Sequence, residues 1–98
     1  MKKEDALSIL RRYEGDLRAR GVRRVALFGS VARGEVGAGS DIDIMIEVEP
    51  EARITVFDYA DLKEYIAGLF DAPVDVVSRD SLKPYLRPTA TADAIYAF

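Results

Sequence analysis

At 98 residues the chain suits a single domain spanning 1–98, and 49% apolar with 32% charged residues is an ordinary globular balance. It has no cysteine and no histidine, which excludes disulfides, thiolate nucleophiles, Cys-based and HExxH zinc sites, Ser-His-Asp triads and imidazole bases. A net charge of −3 disfavours direct nucleic-acid binding, no apolar run is long enough for a membrane span, and the charged start Lys2-Lys3-Glu4-Asp5 makes the cytoplasm the expected location.

Apolar side chains at Ala6, Leu10, Tyr13 and Leu17 line one helical face, which predicts a helix over 3–20 closed by Gly21. Val25-Ala26-Leu27-Phe28 reads as a short buried strand that stops at Gly29. Residues 30–33 read as a helical turn, followed by a loop holding Gly34, Gly37 and Gly39. Strict alternation from Ile42 to Val48, ending before Pro50, predicts a strand with one buried face. Thr55, with Asp58 three residues on, is an N-cap for a second long helix whose stripe is Val56, Tyr59, Leu62, Ile66 and Leu69. Both long stripes read as core rather than as partner surface. Pro73 introduces a third strand, Val74–Val77, and Pro84 and Pro88 interrupt the tail. There residues 89–96 read as a last helix, with Tyr96-Ala97-Phe98 packing back. Helices alternating with short strands imply an α+β fold with α/β-like alternation, a small mixed sheet of three or four strands flanked by helices.

Without cysteine or histidine, catalysis must come from carboxylates, hydroxyls, Lys or Arg, backbone amides and a recruited hard metal. Gly29-Ser30 ends a buried strand just before a helical turn, where glycine lets a phosphate approach the backbone and the Ser hydroxyl adds a donor. The same dipeptide also occurs in plain turns. In Ser40-Asp41-Ile42-Asp43-Ile44 the alternation sets Asp41 and Asp43 about 7 Å apart on one strand face, where they can share Mg²⁺. Alone, the pair also fits the solvated face of an amphipathic strand, with Glu47 and Glu49 nearby. Asp75, bracketed by Val74 and Val76-Val77, is either an outward-facing strand residue or a carboxylate aimed into a site.

Taken together, Gly29-Ser30, ten intervening residues and Asp41-Ile42-Asp43 resemble the signature of the DNA polymerase β-like nucleotidyltransferases. The longer stretch Phe28-Gly29-Ser30-Val31-Ala32-Arg33-Gly34 with Ser40-Asp41-Ile42-Asp43 resembles their smallest branch, the minimal nucleotidyltransferase (MNT) antitoxins. The resemblance continues through Val74-Asp75-Val76-Val77 and Leu82-Lys83-Pro84 to Ala94-Ile95-Tyr96, and departs at Arg87-Pro88-Thr89-Ala90-Thr91-Ala92. It implies that Asp41, Asp43 and Asp75 bind metal, two Mg²⁺ ions, and that Asp75 helps activate the attacking hydroxyl. It implies nucleotide binding by Gly29, Ser30, Arg33 and Ser40, with Gly29 and Ser30 on the β- and γ-phosphates. Arg33 is also readable as a surface salt bridge closing the glycine loop. The implied function is an antitoxin that transfers AMP from ATP to a tyrosine of a HEPN-type ribonuclease toxin. The alternatives are an antitoxin that acts by binding alone, with a vestigial site, and a nucleotidyltransferase for a small-molecule acceptor.

Overall fold

In the computed structural model, which describes residues 2–34, 41–79 and 94–98, the alternation of helix and strand closes into a four-stranded mixed sheet with helices packed on it. Helix α1 (Lys3–Arg12) opens with Glu4 and Asp5 and closes with Arg11 and Arg12, charges that complement the helix dipole. Helix α2 (Glu14–Ala19) follows after one residue, so the single helix expected over 3–20 is two. Tyr13 leaves the helical region at φ −101° and ψ 17°, its ring edge-on to Tyr65 with 6.5 Å between centroids. Gly15, a poor helix former, lies just past the break. The stripe survives because Leu10 and Leu17 are both fully buried. Gly21 then ends the segment at φ 95°, a left-handed terminus that glycine adopts without penalty.

Strand β1 (Val22–Phe28) runs into the short helix α3 (Gly29–Ala32), and β2 (Ile42–Val48) pairs antiparallel with β1. Helix α4 (Val56–Ala67) begins with a complete capping box. The Thr55 hydroxyl accepts from the Asp58 amide and the Asp58 carboxylate accepts from the Thr55 amide, both at 3.1 Å. It crosses over to β3 (Val74–Ser78), which pairs parallel with β2. The last strand, β4 (Ile95–Tyr96), pairs antiparallel with Ala26 and Leu27 of β1, giving the order β3-β2-β1-β4.

The end of the helix expected over 89–96 is therefore strand, because pairing there satisfies backbone groups along the β1 edge: the Ala97 amide donates to the Val25 carbonyl at 2.9 Å. Residues 89–93, with Gly37, Gly39, Ser40, Lys83, Pro84, Arg87 and Pro88, lie outside the described residues. The expected return of Tyr96, Ala97 and Phe98 is present. Ala97 is buried, and its carbonyl accepts from Arg11 Nε at 2.9 Å.

The core lies on one face of the sheet, where Val25, Leu27, Ile42, Ile44, Ile46 and Val76 meet Leu10, Leu17, Leu62 and Ile66. Both helical stripes are core, as read, except at Val56, which is 82% exposed. The expectation of one buried face on β2 also needs correction. Met45, on the Asp43 side, is 1% exposed, because Ala26, Met45 and Val77 form an apolar row across three strands. No helix among the described residues is long and apolar enough to cross a membrane.

Candidate active site

Strand register assembles the site. Phe28, the last residue of β1, stands opposite Asp43, and Asp43 stands beside Asp75 in the parallel pair. Neighbouring strands are about 4.8 Å apart, so the turn after β1 and two carboxylates share one row at one end of the sheet. Asp41 immediately precedes β2, about 7 Å along the chain direction from Asp43. Asp43 is half-buried, whereas Asp41 and Asp75 are exposed.

Gly29 is required here twice over. Its φ of 74° lies in the left-handed region, which costs a residue with a Cβ about 1–2 kcal/mol. A Cβ at this position would also collide with Asp43, overlapping Oδ2 and coming within 3.1 Å of Cγ. The Asp43 carboxylate thus rests against bare backbone at the β1–α3 turn. Ser30 is the second residue of α3, and Arg33 caps that helix at its C-terminal end.

The electrostatics of Asp43 report its neighbours. Burial pushes its carboxyl above the usual carboxylate range, the charges of Asp75 and Asp41 push it further, and the Arg33 guanidinium opposes them. The charges of two further acids and one arginine of the expected set therefore converge on Asp43 at the β1–β2–β3 end of the sheet. Hard oxygen donors that repel one another beside an open backbone turn suit a hard divalent cation such as Mg²⁺. Among the described residues, however, no three carboxylates close into a finished coordination cage. Of the remaining expected residues, Ser40 lies outside the described part.

Two structural features escape the linear sequence. The fit of Asp43 against Gly29 depends on strand register, which alternation alone cannot supply. Val56 and Phe57 are 82% and 81% exposed on the first turn of α4. One signal was available, since Phe57 falls off the apolar stripe of its own helix.

Residues 10–97 match the nucleotidyltransferase domain family. The chain is 36% identical over 94 residues to the protein adenylyltransferase MntA of Thermococcus cleftensis, covering 95% of this chain and 93% of that protein. A relative from Methanocaldococcus jannaschii, named as a protein adenylyltransferase, is 37% identical over 90 residues, 90% of each chain. Among solved structures, a minimal nucleotidyltransferase superposes with a TM-score of 0.79 at 38% identity, covering 97% of this chain and 95% of that one. An MNT antitoxin complex with the tri-AMPylated HEPN toxin of Shewanella oneidensis gives a TM-score of 0.64 at 19% identity. It covers 94% of this chain and 71% of that one, a likeness of fold alone.

Proposed function

The chain belongs to the nucleotidyltransferase domain family, in its minimal branch, and we propose that it is an antitoxin enzyme that moves AMP from ATP onto a tyrosine of a HEPN-type toxin. The observation that carries this reading is the row Gly29–Asp43–Asp75, with a carboxylate packed on bare backbone and electrostatically coupled to two further acids. Similarity in fold to MNT antitoxins complexed with HEPN toxins supports the partner.

In this reading Asp41, Asp43 and Asp75 would hold Mg²⁺, two ions, which when bound supply Lewis acidity to the triphosphate and lower the pKa of the attacking hydroxyl. Gly29 and Ser30 hold the β- and γ-phosphates at the β1–α3 turn, Ser40 adds to the nucleotide contacts, and Arg33 neutralises phosphate charge. The acceptor tyrosine oxygen attacks the α-phosphorus, its proton passes to Asp75, and the bond to the β-phosphate oxygen breaks, releasing pyrophosphate. Such transfer relies on positioning and charge neutralisation rather than on a protein nucleophile, which fits a chain without cysteine or histidine.

The test is the intact mass of the toxin after co-expression with the parent chain or with an Asp41→Ala/Asp43→Ala variant. Addition of one or more adenylyl units with the parent alone is the expected result. A second reading, inhibition by occlusion with a vestigial site, draws on the carboxylates that do not close into a cage. It predicts an unmodified toxin that co-purifies with both forms.

A further inference from the structure

The net charge of this chain is unevenly placed. Residues 48–61 contain Glu49, Glu51, Asp58 and Asp61 against Arg53 alone, four acids less one base, which is −3. That equals the charge of the whole chain, so the other 84 residues, the 98 less these 14, are neutral in sum. In the same segment stand Val56 and Phe57, adjacent on the first turn of α4 and the two large apolar side chains most open to solvent among the described residues. Single exposed apolar residues are ordinary, but a cluster rimmed by charge marks an interaction surface.

The apolar area is continuous beyond these two side chains. A shallow groove of about 270 Å³, lined by Val48, Ile54, Thr55, Val56, Tyr59 and Ser78, runs from the C-terminal ends of β2 and β3 onto α4. A second cavity shares Ile54 with it and is lined by Glu49, Asp58 and Asp61 as well as Arg18, Arg20 and Arg53. The first two of these arginines are already engaged. Arg18 pairs with Glu14 at 2.8 Å, and Arg20 lies over the Tyr65 ring at 4.0 Å from its centroid. Arg53 lines this cavity too, and an arginine over a ring keeps its charge, so the acidic part of the rim is the stretch beside Phe57, where Asp58 adjoins it and Asp61 stands one helical turn on.

We infer that Val56, Phe57 and the adjoining groove form the docking surface for a basic amphipathic segment of the partner toxin. The inference rests on the partner proposed above. Charge decides the occupant. A second copy of this chain placed symmetrically on the patch would bring two acidic rims together, whereas a basic segment neutralises the rim and buries Phe57. Because β2 and β3 are parallel and joined by α4, the patch lies at the end of the sheet opposite Asp43. The separation from Asp43 to Val48 is about 17 Å. Docking and chemistry thus use different residues, and the toxin spans the distance between them.

The experiment measures affinity of the co-expressed HEPN-type toxin for the parent, a Val56→Ser/Phe57→Ser variant and a Glu51→Lys/Asp61→Lys variant, with sedimentation of each isolated chain alongside. Both exposed apolar residues lie outside the core, so the serine variant should melt with the parent. We expect it to bind at least tenfold more weakly. We expect the charge-reversed variant to bind several-fold more weakly at low salt, with the gap closing at high salt. Parent-like binding by both variants overturns the docking surface and leaves the AMP-transfer reading intact. A parent that self-associates through Val56 and Phe57, with toxin binding unaffected by their loss, assigns the patch to a second copy and also overturns it. A parent that fails to bind the toxin removes the partner reading itself, and the inference with it.

Discussion

Asp43 is the residue on which burial, register and charge meet. Its carboxyl is held above the usual range, first by burial and then by Asp75 and Asp41, so ionising it costs stability in the folded chain. With a raised folded value, its contribution is full below the unfolded carboxylate range and is lost as pH rises through that raised value. In metal-free buffer the melting temperature of the parent should therefore fall relative to Asp43→Asn as pH rises from about 4, as scanning calorimetry would show. Added Mg²⁺ should stabilise the parent and leave the variant unmoved. Gly29 supplies a separate prediction. Gly29→Ala meets both a left-handed backbone and the Asp43 carboxylate, and should lose more than tenfold in transfer rate along with about 1–2 kcal/mol of stability. Gly34→Ala is the control. It shares a positive φ of 78° but meets nothing within 4 Å, so its denaturation midpoint should drop while transfer persists.

Among the elements, α4 shows how far local chemistry reaches. Its reciprocal cap fixes the first turn, and Thr55→Ala should cost about 1 kcal/mol in urea unfolding. Leu62→Ala, which empties a fully enclosed site against the sheet, should cost about 2–5 kcal/mol by the same measure. The cap, the β2 limits at Ile42 and Val48, and the Gly21 terminus were legible because each depends on residues within a few positions of one another. What was not legible depends on distant partners. Tyr13 breaks its helix where it meets Tyr65, and Met45 is buried by a row built from three strands. Ile95 and Tyr96 become strand only because β1 offers them an edge. The site divides the same way. The motif Gly29-Ser30 with Asp41 and Asp43 was visible from spacing, whereas the seating of Asp43 on Gly29 and its adjacency to Asp75 required the sheet order.

At the scale of the whole molecule, the order β3-β2-β1-β4 makes β3 an outer strand among the described residues, carrying Val74-Asp75-Val76-Val77-Ser78. Outer strands with apolar sequences recruit further strands, and a charged side chain in their midst is a common protection. Asp75 is exposed as the second of the five residues of this strand, so the carboxylate proposed to hold metal would also keep the sheet from growing. Replacing it by Val or Ala would create the run Val-Val-Val-Val or Val-Ala-Val-Val on the outer strand of the described sheet. Asp75→Val should scatter light and precipitate on warming at concentrations where the parent stays clear. Asp75→Asn, which keeps a polar group there, should remain soluble. Solubility and chemistry would then rest on one side chain, and Asp75→Asn is the substitution with which to separate them.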